Sequence, residues 1–214
     1  MYPGGVGYFG EALASPLFAA QQQTSWFALE YGQWLVLGLD SAYFDPSPLY
    51  MDGALFDPKS PDNPQVQWLK GLDTTGKKIL VLTHHTGLSV DGSRVTTLWS
   101  QVAQVLGRAP DVWYWGHVHN AAVYTAGSAG GSTLCRCNGH AAIPFAGSDW
   151  LADAVTAGRV AYYPKTPIPN PSGDPKLALR VCNGFAQVRL FGDGRIEEGF
   201  YEVGAGQEGA VWQG

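Results

Sequence analysis

The sequence predicts an α/β (α+β) chain, and three patterns carry that prediction. Two short apolar runs each end in histidine: Ile79-Leu80-Val81-Leu82 runs into Thr83-His84-His85, and Val112-Trp113-Tyr114-Trp115 runs into Gly116-His117-Val118-His119. Between them Val95, Leu98, Trp99, Val102, Val105 and Leu106 repeat with the helical period. Near the end, Phe185 to Phe191 and Arg195 to Val203 flank Gly192-Asp193-Gly194, the pattern of a β-hairpin. The strand–helix–strand order from 77 to 115 predicts a crossover unit within one sheet. Both histidine motifs then fall at the carboxyl ends of its strands, where ligand sites of such sheets gather.

The other elements follow in order. Residues 1–10 read as loop, and residues 11–20 as a short helix interrupted near Pro16. Trp26 to Leu29 and Trp34 to Leu39 form two strands around Tyr31-Gly32. Residues 43–64 are a long proline-rich loop carrying Pro46, Pro48, Pro58, Pro61 and Pro64. Asp62 or Asn63 caps the next helix with Pro64 in its first position, and Thr74-Thr75-Gly76 closes it. Lys77 to Thr83 is a central strand, 94–106 a helix stopped by Gly107 and kept from resuming by Pro110, and Val112 to Trp115 the next strand. Ala121 to Tyr124 and Ser132 to Cys137 read as extended.

Composition bounds the function. A chain of 214 residues is one domain or a large part of one, and 45% hydrophobic content supplies a core. The net charge of −5, with no cluster of Lys or Arg, gives no nucleic-acid-binding footprint. No run is long and apolar enough to span a membrane, and the first residues lack a signal-peptide pattern. Cys135, Cys137 and Cys182 are too few, and odd in number, for a disulfide framework. They read as reduced thiols, so the expected compartment is the cytoplasm.

The histidines carry the chemistry. Imidazole suits Zn, Fe, Mn, Ni and Cu better than Mg or Ca. In an extended His-x-His the two rings reach the same side, so His117 and His119 can meet one metal or two neighbouring ones. Gly116 permits a sharp exit from the strand, and His84 can complete that side of the site from the adjacent strand. By the same alternation His85 faces away. The competing interpretation is three unrelated histidines with satisfied hydrogen bonds.

At Thr83-His84-His85 and Gly116-His117-Val118-His119 the chain resembles the C-terminal half of calcineurin-like metallophosphoesterases. Two further stretches resemble that family: Gln65-x-x-Trp68-Leu69 and Gly38-Leu39-Asp40-Ser41. The resemblance covers roughly residues 24–124. It implies half or more of a four-layer α-β-β-α sandwich with mixed sheets. It also implies that His84 and His117 bind one metal of a dinuclear pair and His119 the other, the metals being Fe, Mn or Zn. The implied reaction is hydrolysis of a phosphoester, small molecule or phosphoprotein, by a metal-activated hydroxide. The family's Asp-x-His, Gly-Asp and Gly-Asn-His motifs are absent. Met1-Tyr2-Pro3-Gly4-Gly5 resembles the stretch that can follow Gly-Asn-His-Asp/Glu. The expectation is therefore a single domain over 1–214, truncated at its N-terminus, that binds at most one metal and has little activity alone.

His85, Asp40, Arg136, Asn138 and His140 are expected as supporting or pocket residues, with Arg136 gripping a phosphate. Cys135-x-Cys137-x-x-His140 is too tightly spaced for a structural zinc site and lacks an obvious fourth ligand. Two other functions compete: a catalytically inactive phosphoesterase-like binding domain, and a mononuclear three-histidine metal-binding protein.

Overall fold

A computed structural model describes residues 6–42, 44, 52–141, 148–170, 178–204 and 209–214. Met1 to Gly5, and residues 43 and 45–51 of the proline-rich stretch, lie outside the described residues. The chain begins with a π-helical segment, Val6–Ala12, and a 3-10 helix, Pro16–Gln21. The break before Pro16 is as predicted; neither piece is an α-helix.

The strands are β1 (Phe27–Tyr31), β2 (Trp34–Gly38), β3 (Lys78–Thr83), β4 (Val112–Trp115), β5 (Ala121–Tyr124), β6 (Leu134–Asn138), β7 (Val160–Tyr162), β8 (Pro167–Pro169), β9 (Leu179–Val181), β10 (Asn183–Leu190), β11 (Ile196–Val203) and β12 (Trp212–Gln213). The α-helices are α1 (Pro64–Lys70), α2 (Thr97–Leu106) and α3 (Ala152–Thr156). A mixed seven-stranded sheet has the order β1-β2-β3-β4-β6-β5-β7. Its centre, β2-β3-β4-β6, is parallel, and β1, β5 and β7 join antiparallel. β10-β11-β12 form a second, antiparallel sheet, and β8 pairs with β9.

The continuous apolar runs of β3 and β4 follow from burial on both faces. Ile79, Val81 and Trp113 join Val66 and Leu69 of α1 and Leu98, Trp99 and Val102 of α2 in one core. Leu80, Val112 and Tyr114 point the other way, into a second core closed by Phe200 of β11. The result is a mixed α/β architecture layered helix, sheet, sheet. The predicted crossover is present, since β3 and β4 are parallel neighbours joined through α2.

Both principal helices are shorter than predicted, for local reasons. Asn63 caps α1, its side chain accepting from Val66 N at 3.0 Å with Pro64 at the first turn. The helix ends at Lys70 with Gly71 as its C-cap, Leu72 N turning back to Leu69 O, and Asp73 then holds the chain in a turn by accepting from Thr75 N at 2.9 Å. α2 starts at Thr97, not 94: Asp91 organises a turn by accepting from Ser93 N, and Leu88 bridges Val95 across it. Thr96 is its N-cap, and Gly107 ends it in the left-handed region at φ 73°. Sequence reading missed α3 and β7 to β9, which are only three to five residues each.

Candidate metal centre

β3 ends at Thr83 and the chain bends there. Thr83 Oγ1 donates to His85 O at 2.7 Å and accepts from Trp113 Nε1 at 2.9 Å. Strand alternation therefore stops before His85, and the expectation that His85 faces away is corrected. His84, His85 and His117 each offer a ring nitrogen, and these atoms lie within 4.8 Å of one another. His84 Nε2 stands 3.1 Å from His117 Nδ1, and the three ring-centroid separations are 4.9, 5.0 and 4.7 Å.

His85 is the buried member, at 1% exposure. Its Nδ1 is 2.8 Å from Ser41 Oγ, and its backbone N–H donates to the same oxygen at 3.2 Å. Gly53, at φ 71°, packs its backbone on this ring; a Cβ there would stand 2.4 Å from His85 Cβ. Ser41 is a site residue that sequence reading did not single out. The signal was present, because Asp40-Ser41 lies just beyond β2, the strand hydrogen-bonded to β3.

The exit from β4 is tighter than predicted. Val118 N donates to Gly116 O at 2.7 Å, closing a three-residue turn around His117. The left-handed residues are the histidines themselves, His117 at φ 60° and His119 at φ 44°, not Gly116. Non-glycine residues there cost about 1–2 kcal/mol each. Gly139 supports the turn, since a Cβ on it would lie 2.9 Å from His119 N. The buried Cys137 thiol donates to Asn120 O at 3.3 Å. Burial pushes that thiol up to about 12, so it serves as a hydrogen-bond donor to the turn.

His119 is exposed and lies outside the three-imidazole group, although its charge bears on His84. Burial, then the neighbouring imidazoles His85, His117 and His119, hold His84 below the ordinary histidine range. A neutral imidazole is the form that binds a metal.

The remaining candidates lie elsewhere. Asp40 fastens the exit of β2, accepting from Ser25 Oγ at 2.6 Å and Ala42 N at 3.0 Å. Arg136 is corrected from phosphate gripper to internal ion pair. Its Nη2 and Nε lie 2.7 and 3.0 Å from Glu198 Oε2, and Nη1 donates to Cys135 O and Tyr124 O. Asn138 faces a cleft of about 390 Å³ between the sheets, beside Leu82, Tyr114, Val188 and Leu190. Its Oδ1 is buried with no partner among the described residues.

His140 is fully buried, with neither ring nitrogen partnered among the described residues. Burial pushes its pKa down to about 4. Between that value and the ordinary 6.5 the unfolded chain binds a proton that the folded chain does not, so stability rises with pH. We expect about 3 kcal/mol to be lost as pH falls from 6.5 to 4. Urea titrations at a series of pH values check this, and His140→Leu should flatten that part of the profile.

No family model matches the chain, and no curated protein matches it. Among solved structures it is similar to a purple acid phosphatase from yellow lupin (Lupinus luteus) seeds, at 14% identity and a TM-score of 0.40. That alignment covers 86% of this chain and 31% of the phosphatase chain. The likeness is remote and carries no residue from one protein to the other.

Proposed function

We propose that the chain takes part in metal-dependent hydrolysis of a phosphoester, with His84 and His117 holding a divalent transition metal. The observation that carries the reading is the convergence of three imidazoles at the carboxyl ends of two adjacent parallel strands. The donor set fits one ion. Two nitrogens bound at about 2.0–2.1 Å to one tetrahedral ion stand about 3.3 Å apart, and His84 Nε2 and His117 Nδ1 are 3.1 Å apart. An all-imidazole set matches Zn, Fe or Mn better than Mg or Ca. When bound, such an ion polarises a phosphoryl oxygen and lowers the pKa of a water.

The chain's own residues hold and orient. The Gly116 to Val118 turn aims His117 toward His84, and Thr83 fixes the bend that brings His84 and His85 off β3. His119 is exposed and lies outside the three-imidazole group. No carboxylate belongs to the three-residue group among the described residues. Two cations held close together need anionic ligands to offset their charge. One ion per chain is therefore expected, with slow turnover.

Purified protein should bind about one Zn²⁺ or Mn²⁺ by elemental analysis. It should also hydrolyse bis-p-nitrophenyl phosphate slowly, in a reaction stopped by EDTA and restored by metal. Full metal occupancy with no hydrolysis above the metal-free protein sinks the enzymatic reading. It would leave the second one, a mononuclear metal-binding protein, which the all-imidazole donor set favours.

A further inference from the structure

We infer that His85 is a ligand of the same ion as His84 and His117, with Ser41 as the residue that positions it. The inference rests on the metal-dependent reading above and deepens it. A strand-end histidine pair ordinarily splits its two rings between opposite faces. Here the bend after Thr83 brings both rings to one place, and all three offered nitrogens fall within 4.8 Å. His119, two residues beyond His117, lies outside that group.

The surroundings of His85 are those of a prepared ligand. Its ring is immobilised by burial, by Gly53 packed against its Cβ and by Ser41 at Nδ1. Ser41 Oγ accepts the His85 backbone N–H and retains a lone pair for the ring. In the neutral tautomer with Nδ1 protonated and donating to that oxygen, Nε2 is the unprotonated ring nitrogen, the form a metal binds. Metal-ligating histidines commonly donate their other ring N–H in this way. A three-imidazole set leaves the fourth position of a tetrahedral ion open, the arrangement of hydrolytic rather than closed structural zinc sites.

The test is Co²⁺ titration of the purified chain, read by visible absorption and calorimetry. His85→Gln, Ser41→Ala and His119→Ala are compared with the unmodified protein, and bis-p-nitrophenyl phosphate hydrolysis is followed in parallel. His85→Gln is expected to weaken binding at least about tenfold, and Ser41→Ala about 10–100-fold. His119→Ala should stay within about threefold of the unmodified protein and keep the same cobalt spectrum. If His85→Gln fails to fold by circular dichroism, Ser41→Ala against His119→Ala decides. Unchanged affinity in Ser41→Ala, an equal loss in His119→Ala, or no binding by the unmodified chain overturns the inference. Binding that depends on His85 without hydrolysis upholds it and overturns only the enzymatic reading.

Discussion

His117→Gly is expected to abolish most metal affinity while leaving the metal-free fold as stable as before. His117 supplies Nδ1, 3.1 Å from His84 Nε2, so the substitution removes one of three imidazoles from a group that holds no carboxylate among the described residues. The loss should exceed about a hundredfold, since a ligand contributes more than the residues that support it. Stability should respond differently. At φ 60° an L-residue pays about 1–2 kcal/mol that glycine does not. Glycine in turn loses about 0.4–1 kcal/mol through its freer unfolded chain. The two effects nearly cancel, so the metal-free melting temperature should be unchanged or slightly higher. Such strain at a metal-facing turn is what a site selected for function rather than stability would carry. A melting temperature lowered by several degrees in the metal-free protein would show instead that the ring is needed for packing.

The parts of the fold legible in sequence are those dictated by nearest neighbours along the chain. Ile79 to Leu82 had to be a doubly covered strand because no polar residue interrupts it, and Asn63-Pro64 had to open a helix because that pair satisfies its first turn. The proximity of His84 and His117 was legible for the same reason, since each follows a strand of one crossover unit. The position of His85 was not. Alternation is a property of extended backbone, and Thr83 ends it with a side-chain hydrogen bond that no periodicity reports. Ser41 meets His85 across 44 positions, and Glu198 meets Arg136 across 62. Pairs that distant are set by sheet order and register, which a local pattern does not encode. Arg136 therefore looked like a ligand-binding cation because its counterion lay on a strand with no visible relation to it.

Glu198→Ala is expected to be the most destabilising single substitution outside the apolar cores. Glu198 and Arg136 have side chains only 2% and 4% exposed and lie 2.7 Å apart. They join β6 of the larger sheet to β11 of the smaller one. Tyr114 Oη donates to Glu198 Oε1 at 2.6 Å, and the Trp212 ring lies over the guanidinium at 5.2 Å. Removing the carboxylate strands a guanidinium charge between two sheets and leaves the Tyr114 hydroxyl without its acceptor. Breaking such a pair costs about 3–5 kcal/mol, or roughly 10 °C in melting temperature for a chain of this size. Arg136→Met with Glu198→Leu should be less destabilising than Glu198→Ala, because no uncompensated charge is then buried. Arg136→Met combined with Glu198→Leu also separates structure from function. If the pair only ties the sheets together, metal affinity and the KM for bis-p-nitrophenyl phosphate stay as in the unmodified protein. A raised KM in a folded double variant would restore Arg136 to the role of phosphate contact from which its geometry removes it.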